Sequence, residues 1–176
     1  MFKWDREAKL AGHRLKVSLM HGDDWLTLDY CDLARLVKVI HRTSSIDWLL
    51  TTSYPENFQP EMMAAWADDE SARKPIDMWL HGYIPNNAWV GFKGNWLNHL
   101  KIGALTRIPA SIRYVIIGNL SGKHKIDTLK FDVMKWPWTP KQVRWVVLED
   151  DVDARVDVPS GTMVFNRKNG PMEIPI

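Results

Sequence analysis

Short runs of consecutive apolar residues occur along the chain, separated by segments in which apolar residues recur at helical spacing. The runs that predict strands lie at 15–20, 46–52, 88–92, 112–117, 143–148 and 162–165. A continuous apolar run is typical of a strand buried on both faces, as in a parallel sheet. The pattern therefore predicts an α/β protein with a mainly parallel sheet of about six strands flanked by helices.

Three helices are predicted between these strands, beginning after Asp29, at Pro60 and after Asn95. In the first helix, Leu33, Val37 and Ile40 recur at helical spacing, and the Asp29 carboxylate can accept hydrogen bonds from the first turn. The second helix is expected to end at 73–75, with irregular structure over 71–87, because a proline normally stops a helix.

The size of the chain favours one domain. It has 176 residues, 45% of them apolar, which is enough for one hydrophobic core. We expect a single domain over 1–176, with a long insertion near 118–140 and a loose tail at 166–176. No apolar stretch reaches the roughly 18 residues that span a bilayer, and the N-terminus lacks the apolar core of a signal peptide. A cytoplasmic protein without membrane contact is therefore predicted.

Charge says little about partners. The 23 basic and 21 acidic residues leave a formal charge of +2, which creates no strong field for nucleic acid or for an anionic membrane. A single cysteine, Cys31, excludes a disulfide within the chain. Ten tryptophans are many for this length. They are compatible with an exposed binding surface, and the alternative is that most of the rings are half-buried under loops.

Several segments, taken in order, carry a family resemblance. They are FKWDREA at 2–8, the strand from Leu15, DWLL at 47–50, PEN at 55–57, AWVG at 88–91, IPASIRY at 108–114 and WVV at 145–147. In this order they resemble the phage Gp-thirty-seven/Gp-sixty-eight family, a domain of unknown function. The resemblance covers most of residues 2–165. It implies a radical-SAM-like domain, which is a partial TIM barrel.

The chain departs from that family where the family's chemistry would lie. Family members begin with a cysteine cluster suited to an iron–sulfur cluster, whereas Cys31 lies outside that motif and one thiolate cannot hold such a cluster. Ser53 and Tyr54 replace a Lys-Arg pair, and the acidic residues 149–151 replace a glycine-rich loop. An acidic loop would repel an anionic or carboxylated ligand. We therefore expect a catalytically degenerate protein without an iron–sulfur cluster, and S-adenosylmethionine binding is not carried over.

One alternative is that the protein is an enzyme with altered chemistry that uses a divalent metal ion. In barrel-like α/β folds the carboxyl ends of the strands converge on one cavity, where catalytic groups lie. His21 and Asp23 follow the first predicted strand, and Glu149 and Asp151 follow the fifth. One imidazole and several carboxylates suit Mg²⁺ or Mn²⁺. The competing interpretation is that these are solvated loop residues, because they show no fixed metal-ligand spacing.

The favoured hypothesis is a phage or prophage accessory protein that binds a host or defence protein, with counter-defence as one such role. Its candidate contact residues lie in two aromatic segments and are Trp79, His81, Tyr83, Lys135, Trp136 and Trp138. Aromatic side chains are enriched among the residues that dominate protein interfaces. The mixture of lysines and tryptophans over 123–138 also leaves open a nucleic-acid-binding module. Open sheet edges leave open a homo-oligomer.

Overall fold

The computed structural model describes residues 2–19, 24–59, 65, 70–94, 99–117, 124–125, 145–148, 156–157 and 163–166. Its helices are α1 (Phe2–Ala11), α2 (Tyr30–Arg42), α3 (Glu70–Leu80) and α4 (His99–Leu105), with 3-10 turns at Trp25–Thr27 and Pro55–Asn57. The principal strands are β1 (Leu15–Ser18), β2 (Ile46–Thr52), β3 (Ala88–Gly94) and β4 (Ile112–Ile117). Shorter strands follow at β5 (His124–Lys125), β6 (Trp145–Leu148), β7 (Val156–Asp157) and β8 (Met163–Asn166).

Strands β1 to β4 lie side by side in chain order, and every neighbouring pair is parallel. Beyond β4, the short strands β6 and β8 continue the sheet by parallel pairing, while β5 and β7 pair with each other. The prediction of an α/β fold with a parallel sheet flanked by helices is therefore confirmed. Among the described residues, no helix is long and apolar enough to cross a bilayer.

The main core lies between one face of the sheet and the helices. Alternate residues of β2 point to opposite faces, and Trp48 and Leu50 point towards α2. They pack in one cluster with Val37 and Ile40 of α2, and all four side chains are buried. Because fully burying one such side chain stabilises a fold by roughly 1.5–3 kcal/mol, this cluster fixes how α2 lies on the sheet. The predicted cap of α2 is also present, since the Asp29 carboxylate accepts from Asp32 N at 2.8 Å.

Helix α3 corrects the sequence prediction for this region. It runs over Glu70–Leu80 with Pro75 inside it, where the end of a helix and irregular structure were expected. A proline in a helix interior costs about 3 kcal/mol, because it removes one backbone hydrogen bond and crowds the preceding turn. Ile76 and Trp79 outweigh this cost, since both are buried in the core and α3 packs against α2. The predicted start of this helix at Pro60 lies outside the described residues.

Candidate functional site

The carboxyl edge of the sheet is where chemistry is expected in a parallel α/β fold. Asp24 lies there, after β1. Its Oδ1 accepts a hydrogen bond from Leu26 N at 3.0 Å and caps the first 3-10 turn, while its Oδ2 accepts from Ser53 N, just after β2. Both carboxylate oxygens therefore hold backbone in place. Asp24 ties the segment that enters the first 3-10 turn to the end of β2.

Lys101 of α4 is a cation at the same edge. Its Nζ donates to Ser53 O at 2.6 Å, lies 3.5 Å from Glu56 Oε1 and sits 4.4 Å from the centroid of the Tyr54 ring. The ammonium thus contacts a carbonyl, a carboxylate and an aromatic face, all supplied by the segment that follows β2. Its charge fastens α4 to this segment, so the arrangement is that of a structural clamp.

The face of the sheet opposite the helices is filled at its centre by Tyr114. Register places Thr51, Gly91 and Tyr114 in one row across β2, β3 and β4. The Tyr114 ring covers Gly91 so closely that a Cβ at position 91 would lie 2.0 Å from Cε2 of the ring. Beyond the glycine, the Tyr114 hydroxyl and Thr51 Oγ1 are hydrogen-bonded at 2.6 Å. Glycine at position 91 is therefore required for this ring to cross β3.

The environment of Tyr114 does not suit proton transfer. Burial raises the pKa of the Tyr114 phenol well above its ordinary value, and the hydrogen bond with Thr51 opposes this shift only in part. The phenol therefore stays protonated at neutral pH. A general acid or base works best when its pKa lies near the working pH, so Tyr114 is a packing residue here.

The four residues of the metal hypothesis, His21, Asp23, Glu149 and Asp151, lie outside the described residues. In the part of the chain that the structure describes, no three His, Cys, Asp or Glu side chains come close enough to hold a metal ion. Asp24, the acidic neighbour of Asp23, is engaged by two backbone N–H groups. The metal site stays a prediction.

Trp79 was expected on a partner-binding surface, and this expectation is wrong. Its side chain is only 1% exposed. The indole Nε1 donates to Pro109 O at 2.8 Å, and the ring meets the Phe58 ring edge-on with centroids 5.8 Å apart. A tryptophan count does not show which rings are buried, and the helical spacing of Ile76 and Trp79 was the signal for burial. Trp79 anchors the end of α3.

The turn that follows Trp79 holds His81 and Tyr83 at the surface. Tyr83 N donates to Met78 O at 2.9 Å, and Gly82 N donates to Trp79 O at 3.1 Å. These two bonds form a Schellman motif, in which Gly82 adopts the required positive φ of 81°. Tyr83 is 67% exposed, and Met78 and His81 are also exposed. We call Met78, His81 and Tyr83 the α3–β3 turn surface.

The histidine of this surface has a defined orientation. His81 Nδ1 lies 2.6 Å from Asp77 O. A carbonyl oxygen only accepts hydrogen bonds, so Nδ1 carries the proton and donates to it. The imidazole is thereby fixed on the last turn of α3.

Helix α1 precedes β1, and the α3–β3 turn surface precedes β3. Both therefore lie at the amino edge of the parallel sheet. In α1, Asp5 Oδ1 accepts from Ser45 N at 2.7 Å, immediately before β2, and Ala8 is buried beneath it. Seven large hydrophobic side chains are exposed in the described residues, and five belong to α1 or to the α3–β3 turn surface: Phe2, Trp4, Leu10, Met78 and Tyr83. Helix α1 and the exposure of Met78 were not predicted from the sequence. The charges over 2–8 alternate in sign, and the buried residue of α1 is a small alanine, Ala8, so the segment shows no clear apolar stripe.

Lys135, Trp136 and Trp138, the other predicted contact residues, lie outside the described residues. Comparison of the chain with protein-family models, with curated proteins and with solved structures finds no match.

Proposed function

We propose that this chain is a catalytically degenerate phage or prophage accessory protein that binds a host or defence protein through the amino edge of its sheet. In this proposal the fold is a radical-SAM-like partial barrel of about six strands, as the family resemblance implies. The binding role extends to counter-defence if the bound protein belongs to a bacterial defence system. The observation that carries the proposal is the concentration of exposed hydrophobic side chains on α1 and the α3–β3 turn surface.

Exposed apolar area at the amino edge supports a binding role. Contiguous apolar patches on a soluble protein mark interaction sites, and aromatic side chains contribute much of the energy of protein interfaces. Tyr83 combines a large ring with a rigid backbone, because the Schellman motif fixes the turn. Little ordering is therefore needed when a partner binds, which lowers the entropic cost of association.

The carboxyl edge supports the loss of catalysis. Asp24 and Lys101 are two charged groups that lie near the end of β2, and both hold backbone there. The Tyr114 ring fills the middle of the opposite face, where a barrel-like fold would open its cavity. These residues contribute to stability through intramolecular contacts.

The test is affinity capture by the full chain from phage-infected host cells, with Tyr83→Ala as the variant and Tyr54→Ala as the matched control. Tyr54 is an exposed tyrosine at the carboxyl edge, so its loss removes a similar ring from the other end of the sheet. We expect one partner to be captured by wild type and by Tyr54→Ala and to be lost with Tyr83→Ala. Equal capture by the Tyr83 variant, or no specific partner, would contradict the proposal.

A second measurement separates binding from altered enzyme chemistry. A metal that binds only the folded state must raise the melting temperature. If Mg²⁺ or Mn²⁺ stabilises the purified chain and His21→Ala abolishes that gain, the metal-enzyme hypothesis replaces the binding proposal.

A further inference from the structure

Helix α1 carries a row of exposed residues along one side. Phe2, Arg6 and Leu10 follow one another at intervals of four, so they lie along one side of the helix. Phe2 is 56% exposed, Leu10 is 82% exposed, and Arg6 between them is exposed as well. The other side is fixed by the Asp5 hydrogen bond to Ser45 and by buried Ala8. The row is therefore held outward by a helix that cannot turn to hide it.

The row also carries an excess of positive charge. Lys3 and Lys9 flank it, and the Lys3 ammonium lies 3.8 Å from the Glu7 carboxylate in an exposed pair of small energetic value. In the described part of the chain, neither Arg6 nor Lys9 has an ion-pair partner. A ligand that covers Phe2 and Leu10 would thus meet at least two cations at the same time.

We propose that the outer row of α1 binds an acidic, amphipathic segment of the partner protein. Carboxylates of that segment face Arg6 and Lys9, and its apolar side chains cover Phe2 and Leu10. This inference rests on the proposed function, because it assigns a chemistry to the protein that the amino edge binds. Complementary charge would mainly speed the encounter and fix its register, and the apolar contacts would hold the complex together.

A membrane surface fits the row less well. Helices that lie in a lipid interface carry their cations beside a continuous apolar face. Here Arg6 lies between Phe2 and Leu10, so sinking the apolar residues into lipid would also bury the guanidinium. In addition, α1 is only about 15 Å long at 1.5 Å per residue, which gives little apolar area for insertion.

Nucleic acid fits less well for a different reason. Single strands are bound by cations that follow the phosphates and by aromatic rings that stack on bases. Leu10, the most exposed of the large hydrophobic residues described, serves neither purpose. An apolar and acidic protein segment uses every residue of the row.

The experiment titrates the full chain with a labelled synthetic helix of glutamate and leucine, and follows fluorescence anisotropy. A matched peptide has every glutamate replaced by glutamine. We expect the acidic peptide to bind in a salt-dependent way and the glutamine peptide to bind far more weakly. Arg6→Glu should weaken binding of the acidic peptide by at least about tenfold, because it places a glutamate of the protein opposite the glutamates of the peptide. Lys74→Glu, the same reversal at an exposed position of α3, should leave binding unchanged.

Three results would overturn the inference. They are no binding of the acidic peptide at millimolar concentration, equal binding by wild type and Arg6→Glu, or a loss of binding with Lys74→Glu as large as that with Arg6→Glu. Phosphatidylglycerol vesicles and a single-stranded oligonucleotide serve as parallel probes. Preferential binding of either, with loss in Arg6→Glu, would assign the row to lipid or nucleic acid instead. If the peptide titration fails but cellular capture still depends on Tyr83, only the inference about α1 is wrong. If capture does not depend on Tyr83, the proposed function itself is wrong.

Discussion

At the carboxyl edge of the sheet, Asp24 and Lys101 contact backbone, whereas at the amino edge several large apolar side chains are exposed to water. Asp24 and Lys101 each engage groups at the end of β2. Phe2, Leu10 and Tyr83 at the other edge are more than half exposed. The usual distribution in parallel α/β proteins places function at the carboxyl edge and stability at the amino edge. Under the proposed function, the two edges would have exchanged these roles.

This difference gives a simple criterion for mutations. A residue that holds the fold together should lower the free energy of unfolding when it is changed, whatever happens to binding. A residue kept at the surface for a partner should change binding and leave stability nearly unaltered, since most surface substitutions fall within about 0.5 kcal/mol.

The largest expected effect comes from Gly91→Ala, which tests whether Tyr114 really closes the face near the carboxyl edge. The new Cβ would collide with the Tyr114 ring, because it would lie 2.0 Å from Cε2. Moving the ring also breaks its bond with Thr51, so we expect a loss of about 3 kcal/mol in chemical denaturation. Gly103→Ala is the control, because a Cβ there meets nothing within 4 Å and alanine favours the helix by up to about 1 kcal/mol.

A double variant distinguishes a collision with the Tyr114 ring from a general failure of Gly91→Ala to fold. Adding Tyr114→Leu to Gly91→Ala removes the colliding ring and should recover part of the lost stability. Equal stability of Gly91→Ala and wild type would show that the ring does not occupy this space, and the argument for a filled face would fail.

Asp24→Ala should have the next largest effect. It removes the bond from Leu26 N that caps the first 3-10 turn and the bond from Ser53 N at the end of β2, and it leaves Ser53 N without its acceptor. We expect a loss of about 2 kcal/mol. Asp29→Ala, which removes one ordinary helix cap, should cost about 1 kcal/mol. If Asp24→Ala were neutral and abolished an activity instead, the carboxyl edge would be a working site after all.

Lys101→Met should cost about 1 kcal/mol, because its charged hydrogen bond to Ser53 O is partly exposed. Methionine keeps most of the length of the side chain, so the measured change reports mainly the ammonium. Lys74→Met, at an exposed position of α3, should be nearly neutral and serves as the reference. A neutral Lys101 variant would argue that the clamp has little energetic weight.

The sequence predicted those parts of the fold that depend on local pattern. β2 and α2 were located correctly, because a continuous apolar run and a capped periodic segment are signals contained within each element. Helix α3 was missed because the burial of Ile76 and Trp79 outweighs the local effect of Pro75. Tertiary contacts decide such a segment, and they are not contained in its own pattern.

The candidate site was predictable only in part, for a related reason. Tyr83 and His81 were selected as exposed contact residues, and the structure places both at the surface. The partnership of Asp24 with Ser53, or of Tyr114 with Gly91, depends on strand register and on turns far apart in the chain. No spacing rule within a single sequence gives that register, so the structural use of Asp24 could not be foreseen.

The smallest predicted effect concerns pH and the amino edge. His41, in the last turn of α2, has its Nε2 buried without a hydrogen-bond partner among the described residues, and burial lowers the pKa of its imidazole. The position near a helix C-terminus would favour the charged form, yet desolvation prevails here. The unfolded chain then binds a proton more readily than the folded one. Stability is complete above the unfolded pKa of about 6.5 and decreases as the pH falls below it.

We expect the melting temperature to fall slightly between pH 7.5 and pH 5, and His41→Gln to reduce this difference. A partly buried histidine gives only a small change, so the comparison needs both proteins in the same buffers. Partner capture at the amino edge should not follow this change, because the imidazole of His41 faces inward while Tyr83 and Leu10 face solvent. If His41→Gln altered capture as strongly as stability, the two properties would share a group, and the separation of binding from packing at this edge would be lost.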